Sequence, residues 1–207
     1  MTTPPEDWDP PVRPEGTGKT FTPHPAGAAR IVLCDAIRMG QFVNNWQGAL
    51  SLKDGCALIW QSEKLRDDGK PHELKVEMTY SDDGKANLPP FLATWLNLPA
   101  GTDDERTALV RALPSYIGRS GIGTVKQKKA KSGDRIYAEL KAVIPLMDGM
   151  APLEIRDYAR GKWVAEKKAR YAAEVAAYKA ALARDADAPP PEEPPQNFDA
   201  PPPGMYS

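Results

Sequence analysis

The sequence predicts a mostly β domain: a five-stranded barrel with a helical segment between strands three and four, plus a long C-terminal α-helix and disordered ends. Three observations point there. Two turn signals, Asp67-Asp68-Gly69-Lys70 and Lys131-Ser132-Gly133, each separate two strand-like runs. Two helix signals fall between those hairpins. Prolines crowd the two ends, seven of the 22 in residues 1–25 and eight in 185–207, where too little apolar surface is available to offset the entropy of folding.

The elements follow in chain order. Residues 1–25 read as a disordered Pro-rich arm. Gly16-Thr17-Gly18-Lys19-Thr20 in that arm resembles the end of a phosphate-binding loop. Arg13 stands where the motif needs glycine, and no strand precedes it. Residues 28–38 read as a first strand ending at Gly40, followed by a longer connection holding Phe42 and Trp46. Residues 56–63 and 72–80 form a hairpin. In its second strand Leu74, Val76, Met78 and Tyr80 alternate with Glu73, Lys75, Glu77 and Thr79, the period of a half-buried strand. Asn87 can cap a short helix that tolerates Pro89 and Pro90 in its first turn and buries Phe91, Leu92, Trp95 and Leu96. Thr102-Asp103-Asp104-Glu105 is a capping box opening a second helix that Pro114 ends. Residues 121–129 and 134–144 form another hairpin, with Ile136, Ala138, Leu140 and Ala142 facing inward and Arg135, Tyr137, Glu139 and Lys141 outward.

Residues 151–184 contain eleven alanines and read as one helix, with Pro152 in its first turn. Val164, Tyr171, Val175, Tyr178 and Leu182 form a narrow apolar stripe. That stripe can pack on the barrel, the favoured reading, or pair with a second copy to make a homodimer. Arg160, Lys162, Lys167, Lys168 and Arg170 offer a third use, a basic wall. The domain division is therefore 1–25 arm, 26–149 barrel, 150–184 helix and 185–207 acidic Pro-rich tail.

Charge is partitioned along these lines. The formal total is −1. The four parts carry −2, +2, +4 and −5, so a basic body precedes an acidic tail. No apolar run approaches the ~20 residues of a membrane span. The first residues lack the apolar core of a secretory signal, and the two cysteines, Cys34 and Cys56, fit a reducing cytoplasm. No cofactor or metal site is expected, and no catalytic constellation emerges. His72 lies on the apolar phase of a strand, neither cysteine has a histidine near it in sequence, and Asp67-Asp68 and Asp82-Asp83 sit in turns with Gly69 and Gly84. Gly118-Arg119-Ser120-Gly121 matches a KH-type loop, but that loop joins two helices and here a strand follows. The chain reads as a non-enzyme.

The order strand, strand, strand, helical segment, strand, strand is that of an OB-fold, a five-stranded Greek-key barrel whose strand two–three face and flanking loops bind oligonucleotides. Between 119 and 141 stand seven basic and two acidic residues. Rings for bases and cations for phosphates are the components of single-strand binding. The candidate stacking residues are Trp46, Trp60 and Tyr137; the strand phase of Trp60 is ambiguous and leaves a place in the core open as its alternative. The candidate phosphate contacts are Lys75, Arg119, Lys126, Lys128, Lys129, Lys131, Arg135 and Lys141.

The run Tyr116-Ile117-Gly118-Arg119, Thr124 to Leu140 with its Lys128-Lys129-Ala130-Lys131-Ser132-Gly133 centre, and Ile144-Pro145-Leu146 resembles phage-encoded OB-fold single-stranded DNA-binding proteins. The resemblance covers roughly 26–149. Departures are the longer connection after strand one, Arg119 where a lysine is usual, and a less charged stretch at 99–105. It implies a protein that coats single-stranded DNA during replication or recombination in the cytoplasm of a cell or phage host. It also implies an acidic tail that recruits replication or recombination enzymes, here Asp185, Asp187, Glu192, Glu193, Phe198 and Asp199, although such tails end in acids and Phe where this sequence reads Gly204-Met205-Tyr206-Ser207, and a solubilising or linker tail stands as the alternative. Two alternatives stand beside it: a non-enzymatic protein-interaction module on an OB-like scaffold, and an RNA-binding OB protein.

Overall fold

The computed structural model describes residues 22–130 and 136–186. The arm up to residue 21, the 131–135 turn and the tail from 187 lie outside the described residues, and with them the phosphate-loop-like segment. Five antiparallel strands, β1 (Gly27–Trp46), β2 (Ala49–Leu65), β3 (Pro71–Thr79), β4 (Ser120–Lys129) and β5 (Ile136–Ile144), form one sheet in the order β3-β2-β1-β4-β5. Three helices accompany them: α1 (Leu88–Leu96), α2 (Asp103–Arg111) and α3 (Trp163–Ala186). The two edge strands β3 and β5 also approach each other.

The first hairpin differs from expectation. No long connection follows residue 40. β1 continues to Trp46, and β2 begins at Ala49 rather than near 56. Gln47 and Gly48, both at positive φ, make the two-residue turn, a geometry matched to the twist of the paired strands. Bulges at Leu33/Asp35 and Arg38/Gly40 let β1 bend rather than stop. Phe42 and Trp46 therefore stand on a two-stranded arm, not in a loop.

β1 carries Ile31-Val32-Leu33-Cys34, apolar on successive residues, and each of these is buried. Such a run needs cover on both faces of the sheet. On one face Ile31, Leu33, Leu58, Trp60, Leu74 and Leu140 meet Leu88, Leu92 and Trp95 of α1, Val110 of α2 and Tyr116. Trp60 and Trp95 pack edge to face at 4.6 Å, the arrangement that ring quadrupoles favour. Trp95 Nε1 donates to the Ser120 carbonyl at 3.1 Å. A Cβ at Gly121 would lie 2.8 Å from that nitrogen, so glycine is what lets α1 sit on β4. The Thr102/Glu105 capping box forms as expected, whereas Asn87 occupies its cap position without a side-chain hydrogen bond.

The second face is covered by a segment expected to be helical. Residues 151–162 are not a helix, and α3 begins only at Trp163. Side chains from the sheet capture the backbone of this strap instead. Ser120 Oγ accepts from the Leu153 amide at 2.9 Å. Gln61 donates to the Arg156 carbonyl at 2.7 Å and accepts from its amide at 2.8 Å. Asp35, 1% exposed, receives Arg160 through Nε at 2.8 Å and Nη2 at 3.0 Å, and the Tyr158 hydroxyl at 2.9 Å. α3 then runs along β1, with Val164 packed on Ile37, Met39, Ala57 and Ile59, and Tyr171 stacked on Phe42 at 5.4 Å.

β5 also departs from strict alternation. A bulge leaves Lys141 as the extra residue between the pairs Thr124–Ala142 and Val125–Leu140. The phase inverts there, so Val143 rather than Ala142 is buried; Ile136, on the Leu140 phase before the bulge and expected inward, is exposed at the start of β5. Residues 22–25, expected in the disordered arm, pack on the β2–β3 end. His24 Nδ1 donates to the Pro25 carbonyl and Nε2 accepts from the Ser62 hydroxyl at 2.8 Å, with the His72 ring 5.1 Å away.

Two predictions follow from these contacts. Asp35→Ala leaves the Arg160 charge without its carboxylate and should lower the stability of the full chain by about 3–5 kcal/mol in urea unfolding, whereas Asp35→Leu/Arg160→Leu should recover most of that loss. An unchanged midpoint for the single variant would remove Asp35 as the anchor. Burial lowers both His24 and His72 below their ordinary 6.5, His72 further through His24 itself. Between the folded and unfolded values the unfolded chain binds more protons. Stability is therefore complete above pH 6.5 and falls as the pH drops through the folded values. Thermal melts from pH 7.5 to 5 should show that decline, and His24→Gln/His72→Gln should flatten it.

Candidate nucleic-acid interface

The outer half of the β4–β5 hairpin, beyond the buried pair Val125–Leu140, stands outside both covers. Alternation about the buried pair Val125–Leu140 turns Lys126 and Lys128 outward, and the register sets Glu139 opposite Lys126 and Tyr137 opposite Lys128. Lys128 Nζ and Lys141 Nζ each lie 2.6 Å from a Glu139 oxygen. The hydrogen bonds from Lys128 and then Lys141 hold the Glu139 carboxyl below its usual range. The Lys128 ammonium is correspondingly pushed up, first by Glu139. Tyr137 is 44% exposed beside this triad. One face of the hairpin thus combines three cations, one carboxylate and one available ring. Its chemistry suits a flexible polyanion with planar bases: the cations meet phosphates, the ring accepts a base, and Glu139 spaces the ammonium groups.

Lys129 lies exposed on the other phase of the hairpin, opposite Ile136. Lys131 and Arg135 lie outside the described residues. Arg119 is exposed at the far end of β4, with its guanidinium 5.6 Å from the Tyr116 ring. Seven residues of extended chain, roughly 23 Å, separate it from Lys126. Trp46 is 71% exposed at the tip of the β1–β2 arm. β1 starts beside Val125, so a strand path of roughly 60 Å lies between Trp46 and the hairpin.

One expected contact is corrected, and a second is placed away from the hairpin. Trp60 is 0% exposed in the main core and has no face for a base. Its strand phase belongs to the α1 side of the sheet. Lys75 is drawn into seating α3. Its ammonium lies 2.8 Å from Glu77 and 4.2 Å from the centre of the Trp163 ring, while Lys167 pairs with the same Glu77. The β2–β3 face, where an OB-fold takes its ligand, therefore carries α3. Packing of the C-terminal helix on the sheet agrees with the favoured sequence reading, whereas the extended strap at 151–162 that seats it was not foreseen. Its signal was present in Asp35 and Gln61, polar residues within apolar runs that had to find partners once buried.

Asp185 falls in the last turn of α3, and Asp187, Glu192, Glu193, Phe198 and Asp199 lie outside the described residues. Among the described residues no helix is long and apolar enough to cross a membrane, and no three metal-ligating side chains cluster. No protein-family model matches the chain, and no curated protein matches it.

Proposed function

We propose that the chain is a single-stranded DNA-binding protein of a phage or phage-like element, built on an OB-type barrel, that coats single strands during replication or recombination in the cytoplasm of its host. The observation that carries the reading is the outward face of the β4–β5 hairpin, where Lys126, Lys128 and Lys141 surround Glu139 beside Tyr137. Lys131 and Arg135 lie between its strands in sequence. The barrel reading is supported by the strand order β3-β2-β1-β4-β5, by the helical segment between β3 and β4, and by the approach of the two edge strands. In this reading DNA contacts concentrate on the hairpin, because α3 takes the β2–β3 face. The acidic tail serves as the docking segment for replication or recombination enzymes.

A second reading, a protein-interaction module, is favoured by the exposed apolar side chains of Trp46 and Leu50 on the arm and Leu182 on α3. Binding of labelled oligo-dT by the full chain separates the two.

On the first reading, binding weakens with salt, and Tyr137→Ala weakens it by about 1–3 kcal/mol. Lys128→Ala lowers the salt slope by about 0.7. Lys75→Ala leaves binding unchanged, since α3 holds that side chain. No binding at low salt, or equal binding by a Tyr137→Ala/Lys128→Ala variant, counts against the hairpin. Glu139→Gln tests the triad from the opposite side. It frees two ammonium groups, so affinity for oligo-dT rises and the salt slope steepens. Weaker binding would mean that Glu139 contacts the ligand or holds the hairpin in shape.

A further inference from the structure

A groove of about 390 Å³ runs between α3 and β1. Met39, Ala172, Val175 and Ala176 line its apolar part, with Lys168 and Lys179 beside them. The two lysines are exposed and sit eleven residues apart on α3, about 16 Å along the helix. Of the other α3 cations, Lys167 pairs with Glu77 and Arg170 with Glu174, and Arg184 donates to the Ala180 carbonyl within its own helix. Lys168 and Lys179 have no carboxylate partner among the described residues. An apolar channel between two unpaired ammonium groups fits an extended acidic segment with one large apolar side chain.

We propose that the occupant is this chain's own segment 187–207, folded back along α3 with Phe198 in the groove and its acids against Lys168 and Lys179. Charge complementarity is one argument. Residues 185–207 carry five acids and no cation, and Phe198 stands beside Asp199 and shortly after Glu192-Glu193. Reach is the other. α3 ends at Ala186, and Val175 lies about 16 Å back along the helix axis. The twelve residues from Ala186 to Phe198 span up to ~37 Å in the extended form that prolines favour. That is enough for the chain to reverse and reach the groove. Five prolines between 189 and 195 limit the conformations lost on docking. The inference does not depend on nucleic-acid binding.

The test is zero-length carbodiimide coupling of the full chain at low protein concentration and low salt, with the links mapped by mass spectrometry. The expected result is amide links from Lys168 or Lys179 to Glu192, Glu193 or Asp199 within the monomer. They should fall several-fold in Phe198→Ala, and also near 1 M salt, where the screening length shrinks to ~3 Å. Four results would each overturn the proposal: no links, links spread evenly over the exposed lysines, links gathered on Lys126, Lys128 and Lys141, or links indifferent to Phe198→Ala. Links found only between two molecules and rising with concentration would reassign the groove to the tail of a second copy.

Discussion

A carboxylate sits where the sheet is driest. Asp35 lies on the central strand, opposite Ile59 of β2 and just beyond the last β1–β4 pair, and is almost wholly removed from solvent. An ionised carboxylate there is tolerable only with a cation and full hydrogen bonding. Arg160 supplies two bonds and Tyr158 a third. Burial and the Asp35 charge push the Tyr158 phenol up, so it stays a neutral donor. Meeting that need brings residues 151–162 across the sheet as an extended strap, and the strap determines where α3 starts and which face it covers.

The location of the candidate interface follows from that cover. Apolar surface on both sides of β1 and β2, outside the arm around Trp46 and Leu50, is sealed by α1, α2 and Tyr116 on one side and by the strap and α3 on the other. A ring such as Trp60 and a cation such as Lys75, attractive as ligand contacts, become parts of those seals. The outer half of the β4–β5 hairpin escapes both. Its charges are consequently solvated, and Glu139 holds two ammonium groups in place through bonds that salt and competing phosphates can exchange. The same cover leaves a channel along α3 with two lysines facing water, on the helix that precedes, in sequence, a segment carrying only negative charge.

Local patterns in the sequence determined much of this protein: the Asp67–Lys70 hairpin turn, the Thr102–Glu105 capping box, the five strands and their order along the chain, the Ala-rich helix and the cationic face of the fourth and fifth strands. Each rests on contacts within a few residues or on a repeating period, so single-sequence reasoning reaches it. Tertiary structure decided the rest. The continuation of β1 to Trp46 depended on a partner strand reached through Gln47-Gly48, and the inversion at Lys141 depended on a bulge that only the β4 register reveals. The strap at 151–162 is rich enough in helix-favouring signals to be read as helix. It is extended because Ser120, Gln61 and Asp35, far away in sequence, offer its backbone and side chains better partners than a helix would. Long-range polar satisfaction overrides local propensity wherever a buried donor or acceptor would otherwise go unpaired.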